Sequence, residues 1–257
     1  MNDNKVDLEW DQDPAFMAAD YEVYKAAAGL TNLLARTTTT TYTDENYNTQ
    51  LSTCYKISYK DICGNESPFA VEACPIQLTA VVDKNNVIDL AWNAYTGWIN
   101  GVNDYVVEKF DAQGQLIQTF NTTSPLLNDN INDPLNQVYM YVVTAIPNDG
   151  GINNSVSNVI TVIKDANLFY PTAFTPNGDD LNDYFNVSGQ FIQSFELRIF
   201  NRWGELIFTT NDPGEGWNGT YHGDLMPEGT YAFIAKIIDF AGKNIDRSGA
   251  VLLLKKN

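Results

Sequence analysis

Residues 1–164 contain the same pattern twice. Asp7-Leu-Glu-Trp10 matches Asp89-Leu-Ala-Trp92, and Asp20-Tyr-Glu-Val23 matches Asp104-Tyr-Val-Val107. Leu33-Leu-Ala-Arg-Thr37 is echoed by Leu116-Ile-Gln-Thr119, and Thr43-Asp44 by Asn128-Asp129. Cys54-Tyr-Lys-Ile-Ser-Tyr59 matches Val138-Tyr-Met-Tyr-Val-Val143. The offset is 82 from Trp10 to Trp92, 84 from Tyr21 to Tyr105 and 85 from Asp44 to Asp129. A period this long with so little drift means two homologous domains, not a solenoid of short repeats.

Each copy reads as strands. Val87-Ile-Asp-Leu-Ala-Trp92, Tyr105-Val-Val-Glu-Lys-Phe110 and Tyr139-Met-Tyr-Val-Val-Thr-Ala145 are rich in β-branched and aromatic residues and partly alternate. Asp83-Lys-Asn-Asn86, Ala112-Gln-Gly114 and Asn148-Asp-Gly-Gly151 punctuate them as turns. Short strands at that spacing predict an antiparallel sandwich. The early Trp strand, the Tyr-x-Val strand and the Tyr-rich late strand resemble fibronectin type III modules. The second copy has a leading strand, Ile76-Gln-Leu-Thr-Ala-Val-Val82, before its Trp strand, and the first copy lacks one. That predicts an exposed edge and points to a fragment cut inside a domain. Met1-Asn-Asp-Asn-Lys-Val is polar and is no signal peptide, which also fits the end of a longer protein.

The remainder has a different text: Phe174-Thr-Pro-Asn-Gly-Asp-Asp-Leu-Asn-Asp183, Phe200-Asn-Arg-Trp-Gly204, Gly216-Trp-Asn-Gly219 and Gly229-Thr-Tyr-Ala-Phe233. It resembles the type B C-terminal sorting domain of the Bacteroidota type IX secretion system, the gliding-motility-associated C-terminal domain. The motif positions are Phe174, Pro176, Asn177, Gly178, Asp179, Asn182, Asp183, Asn201, Arg202, Trp203, Gly204, Trp217, Gly219, Gly229 and Tyr231. Two alternating hairpins, Phe195–Phe200 with Glu205–Phe208 and Tyr231–Ile238 with Gly249–Leu254, predict an immunoglobulin-like sandwich together with strands around Leu168–Tyr170 and Tyr184–Val187. The expected fold class is therefore all-β: tandem immunoglobulin-like, fibronectin type III-like sandwiches at 1–74 and 75–164, then a sorting sandwich at 165–257.

A formal charge of −17 and a sequence pI of about 4.2 exclude the basic footprint that nucleic acid requires. They argue equally against docking on anionic lipid. The most apolar run, Gly249–Leu254, is far shorter than the roughly 20 residues of a membrane span.

Three cysteines cluster at the end of the first copy. Cys54 and Cys74 are equidistant from Gly64, which reads as a hairpin tip, so they face each other across a strand pair and form the disulfide candidate. The alternatives are three reduced thiols or a Cys63–Cys74 bridge, because connectivity does not follow from sequence. With one histidine and no CxxC, zinc is not expected.

Asn177, Asp179, Asp180, Asn182 and Asp183 offer five oxygen-bearing side chains in seven residues. Two readings stand: a calcium loop, since calcium takes hard oxygen ligands, or an Asx-rich turn whose side chains cap its own backbone amides. Other cofactors are not expected. Relatives of this kind carry Gly at the place of Asp180, so the exchange adds an oxygen where a special backbone angle is needed. His222 stands beside Asp224 without a recognisable nucleophile and reads as a surface loop residue. Trp203 and Trp217 read as packing residues rather than sugar platforms.

These features point to the non-catalytic end of a secreted, adhesin-like surface protein associated with gliding motility, its last domain directing export and the preceding modules acting as a spacer. The alternative is a set of trailing modules behind the catalytic domain of a secreted polysaccharide hydrolase or protease. The resemblance implies docking on the outer-membrane translocon and an associated outer-membrane protein, through the last hairpin and Lys255-Lys256. The chain is expected to be a monomer, joined to upstream domains of the same polypeptide.

Overall fold

The computed structural model of the chain describes residues 5–12, 18–48, 51–130, 133 and 135–255. All regular elements among them are β-strands, as expected. The chain divides into two compact units, Met1–Ile131 with Tyr139–Val162, and Asn132–Val138 with Ile163–Asn257.

The first repeat supplies β1 (Val6–Glu9), β2 (Ala18–Ala27), β3 (Leu30–Thr37), β4 (Thr41–Asp44) and β5 (Thr53–Asp61). The second supplies β6 (Leu78–Val82), β7 (Ile88–Trp92), β8 (Val102–Asp111), β9 (Leu116–Thr122), β10 (Leu126–Asp129), β11 (Val138–Pro147), β12 (Ser155–Val156) and β13 (Ile160–Ile163). In the second repeat one sheet runs β10-β7-β6, and the other runs β9-β8-β11 with β12 and β13 both on β11. This is the strand arrangement of a fibronectin type III sandwich. The first repeat has the same sheets in reduced form, β1-β4 and β3-β2-β5. Bridges Lys60↔Glu66 and Tyr55↔Ala73 lay the chain after β5 back along it. The register sets Cys54 opposite Cys74, and a disulfide joins them, while Cys63 is exposed at the tip.

The repeat is physical as well as textual. Trp10 meets Tyr21 edge-on at 5.4 Å, and Trp92 meets Tyr105 at 5.5 Å. On β8 the inward positions alternate Tyr105, Val107, Lys109, and on β2 they alternate Tyr21, Val23, Lys25, so in each sandwich a lysine points into the core. Lys109 donates to Asp129 at 2.6 Å, and the Tyr141 hydroxyl donates to the same Asp129 oxygen at 2.6 Å. Asp129 lies on one sheet while Lys109 and Tyr141 lie on the other, so the tie spans the sandwich. In the first repeat Lys25 and Tyr55 make the same bonds to Asp44, at 2.6 and 2.7 Å. Burial by itself would raise the Asp44 carboxyl, but the bonds from Lys25, Tyr55 and the Asn46 N–H outweigh it and hold it below its usual range. Burial pushes the Tyr55 and Tyr141 hydroxyls far up, and the carboxylate each one faces adds to the effect.

One five-residue turn closes most of the hairpins. In Asp61–Asn65, Asp111–Gln115 and Asp83–Val87 the side-chain oxygen of the first residue accepts the N–H groups two and four residues later. Gly64, Gly114 or Asn86 takes the fourth place with φ of 85°, 80° or 63°, the left-handed region that glycine and asparagine enter most cheaply.

The second unit adds β14 (Leu168–Phe169), β15 (Ala173–Phe174), β16 (Ser188–Gly189), β17 (Ile192–Phe200), β18 (Leu206–Thr210), β19 (Thr220–Tyr221), β20 (Asp224–Leu225), β21 (Gly229–Asp239) and β22 (Asn244–Leu253). Its main sheet runs β15-β22-β21-β17-β18, with β15 parallel to β22. The expected strand at Tyr184–Val187 is only a single bridge, Phe185↔Trp217. Phe185 and Val187 are instead side chains of the core, and β16 starts just after them. Gln137, also in this unit, is buried and donates to Asp239 at 2.8 Å and to the Lys164 carbonyl at 2.9 Å.

Two predictions follow from the buried charges. Asp129→Ala leaves Lys109 in the core without its counter-ion, and urea unfolding is expected to show a loss of about 3–5 kcal/mol. The loss from Asp44→Ala is expected to be smaller, because the Lys25 side chain is 23% exposed against 2% for Lys109; a loss below about 1 kcal/mol at Asp129 would refute the role of the tie. On β2, Glu22 accepts from Tyr24, Lys60 and Arg36, which lowers its carboxyl from 4.5 to about 2. Its stabilisation is complete above the unfolded value and drains away as pH falls from 4.5 toward 2. Glu22→Gln should flatten melting temperature against pH in that window, and an unchanged slope would show that other groups set the acid response.

Candidate functional site

The motif residues of the last sandwich separate into a core group and a surface group. Phe174, Trp217 and Tyr231 form the core group, with ring centroids of Phe174 and Trp217 at 5.3 Å and of Trp217 and Tyr231 at 4.8 Å. Trp217 is wholly buried, and its indole N–H donates to the Thr220 carbonyl at 2.9 Å. The Tyr231 hydroxyl donates to the Pro227 carbonyl at 2.7 Å. Gly219 has φ 78°, and a Cβ there would meet Leu253 at 2.9 Å and Pro176 at 3.1 Å. Only glycine meets both demands. Gly229, with φ 152°, opens β21.

The loop after Phe174 folds onto its own amides. One Asp183 oxygen accepts the N–H groups of Asn177 and Gly178, both at 2.8 Å, and the other accepts Asp180 N–H at 2.8 Å. Asn177 Oδ1 accepts Asp179 N–H, and Asp179 Oδ1 accepts Leu181 N–H. The Thr175 N–H donates to the Asn182 carbonyl at 2.8 Å. Asp180 and Asn182 stand at φ 65° and 53°, a region that Asp and Asn tolerate better than other side chains. Asp180 thus adopts the angle that glycine would take there. The side-chain oxygens of Asn177, Asp179 and Asp183 serve the loop itself, as those of a self-capped turn do. No group of three or more His, Cys, Asp or Glu able to hold a metal stands among the described residues.

Asn201–Glu205 is the same five-residue turn as in the repeats. Asn201 Oδ1 accepts Trp203 N–H and Glu205 N–H, both at 3.0 Å, and Gly204 has φ 79°. Asn201 is 7% exposed and also donates to the Glu205 carboxylate at 2.8 Å. Trp203 departs from expectation. It is 75% exposed, and the Arg202 guanidinium stacks over it at 4.5 Å. The packing reading holds for the position of Trp217 and fails for Trp203, because the second and third residues of this turn point outward. The sibling turns place Ile62-Cys63, Ala112-Gln113 and Lys84-Asn85 there, so the turn itself does not call for tryptophan. His222 is exposed in the loop between β19 and β20, its ring 4.1 Å from that of Tyr221.

Residues 168–253 match the family model of the CHU_C type IX secretion signal domain. This part of the chain is a type IX secretion signal domain, which marks the protein for export to the cell surface and for contact with the secretion machinery. Comparison with curated proteins gives no match. Among solved structures, a tetra-tandem repeat from the extending region of a large adhesion protein is 15% identical, covering 91% of this chain and 66% of that one at a TM-score of 0.35. A two-domain fibronectin type III segment of chicken tenascin is 13% identical, with coverages of 69% and 98% and a TM-score of 0.44. A bacterial ice-binding adhesin is 12% identical, with coverages of 93% and 88% and a TM-score of 0.25.

Asp183→Ala strips three N–H groups of their acceptor and is predicted to lower stability by about 1–3 kcal/mol in thermal unfolding. EDTA is predicted to leave the melting temperature unchanged. A calcium-dependent rise would show instead that the oxygens of Asn177, Asp179, Asp180, Asn182 and Asp183 turn outward to bind the ion.

Proposed function

We propose that this chain is a non-catalytic part of an adhesin-like cell-surface protein of gliding bacteria. The domain at 165–257 is the export address, and the modules at 1–74 and 75–164 are spacers between it and the region that makes outside contacts. The observation that carries this reading is the secretion signal match over residues 168–253, which follows two copies of one sandwich. The domain docks as a folded unit on the outer-membrane translocon and an associated outer-membrane protein.

The exposed Trp203 with Arg202 stacked on it is the docking element best supported within this domain, since the hydrogen bonds that form the turn run through Asn201 and backbone amides. A flat, exposed aromatic and an arginine are the residue types that concentrate binding energy at protein interfaces. Of the pair Lys255-Lys256, Lys255 is exposed and Lys256 lies outside the described residues.

The test is a fusion of residues 165–257 to a periplasm-targeted fluorescent reporter in a host with type IX secretion. The reporter should reach the surface or medium, and retention would sink the export reading. Trp203→Ala should lower the exported fraction severalfold while shifting stability by no more than about 0.5 kcal/mol, the usual range of a surface change. Unimpaired export of that variant would remove Trp203 from the docking face.

A further inference from the structure

The small sheet of the secretion signal domain carries aromatic side chains on its outside. β14 pairs β16 with Phe169 opposite Ser188. The segment leading into β16 alternates: Phe185 and Val187 are wholly buried, Tyr184 and Ser188 are exposed, and Asn186 is half-buried. Tyr184, Asn186 and Ser188 therefore share the outward side. A Cβ on Gly216 would meet the Cβ atoms of Tyr184 at 2.8 Å and Asn186 at 3.4 Å, which places both on one side of the chain. Phe169 is 66% exposed, Tyr184 60% and Tyr170 40%. Tyr170 is held in place, because its ring meets that of buried Phe233 edge-on at 5.2 Å.

Leu168, Phe169, Tyr170, Pro171, Asn186 and Ser188 line an open cavity of about 360 Å³. None of the six carries a charge, so an ionic ligand finds no counter-ion in the lining. The polar groups are an amide and hydroxyls. Asn186 Nδ2 donates to the Pro213 carbonyl at 2.9 Å, while its Oδ1 is buried and has no hydrogen-bond partner. Among the described residues of this unit it is the one buried side-chain nitrogen or oxygen left so. A buried acceptor without a donor is costly, and a ligand hydroxyl is a donor of the kind it lacks.

We propose that this face of the secretion signal domain binds a neutral saccharide. A pyranose ring is apolar on its C–H faces and polar around its rim. The C–H bonds carry a weak positive charge at hydrogen and stack on the negative faces of the Phe169 and Tyr170 rings. The rim hydroxyls meet Ser188 and the Asn186 amide. Ligand sites have this make-up, mostly apolar and aromatic with a few placed polar groups, over a range of about 300–1,000 Å³. The cavity stands at the low end of that range, which suits a short saccharide. Sugars with equatorial hydroxyls present the flattest C–H faces, so β-linked glucose units are the preferred form. Trp203 and Arg202 are not in the lining, so the site is separate from the docking element assigned to them.

Calorimetric titration of the full chain with cellotetraose, mannotetraose and galactotetraose tests this. Saturable binding is expected, tightest for cellotetraose, with amide shifts in NMR spectra at Phe169, Tyr170, Asn186 and Ser188. Phe169→Ala changes an exposed side chain, so its circular dichroism should match the parent. It should bind cellotetraose at least about tenfold more weakly, while Trp203→Ala binds as the parent does. No binding of any of the three, affinity unmoved by Phe169→Ala, or shifts that cluster at Trp203 would overturn the proposal. Tighter binding of mannotetraose or galactotetraose would overturn the preference for equatorial hydroxyls.

Discussion

Each of the two repeated sandwiches is organised around a lysine that should not, on hydrophobic grounds, be where it is. Removing an ammonium group from water is costly, and the cost is met only if a counter-ion and further hydrogen bonds receive it. Asp129 and Asp44 do this from the opposite sheet, helped in each case by a tyrosine hydroxyl. Lys109 lies in addition over the Tyr139 ring at 4.1 Å, where the ring face attracts a cation. Apolar contacts allow one sheet to slide over the other at small cost, whereas a buried ion pair has a single satisfactory geometry. The tie links the two sheets of each sandwich, and Tyr-x-Val-x-Lys aligns around it.

The turns show a complementary economy. A single acceptor at the first position and a residue of positive φ at the fourth close hairpins in both units. The two positions between are left without a structural duty. In the repeats they hold assorted side chains, and in the secretion signal domain they hold Arg202 and Trp203. Recognition can be written into such positions without disturbing the fold, because the hydrogen bonds that define the turn run through backbone amides and Asn201 alone.

Much of this was legible. Strand alternation, the repeat, the hairpin centred on Gly64 and the motif text of the last domain can all be read along the chain, because each depends on residues close in sequence or on a pattern repeated intact. The lysine tie was legible in principle: a cation at an inward position of an alternating strand, twice, at the repeat offset. Its meaning depends on an aspartate 19 or 20 residues away on another sheet. Trp203 and Trp217 share a glycine-flanked context in the sequence, and only their places in the turn and the bridge separate exposed from buried. Tyr184–Val187 had the composition of a strand, but its aromatic and branched side chains go into the core from a segment with one bridge.

By itself, the amino-acid sequence determined that this chain is a series of β-sandwiches that includes a secretion signal domain, since hydrophobic period, turn chemistry and motif spacing are local properties. The tertiary structure alone decided which lysine meets which aspartate, which tryptophan faces water and where the Asn177–Asp183 oxygens point. The lysine ties join segments 19 or 20 residues apart on different sheets, so their geometry is set only when the sheets close over one another, while the tryptophan and the loop oxygens take their directions from the turn each one sits in.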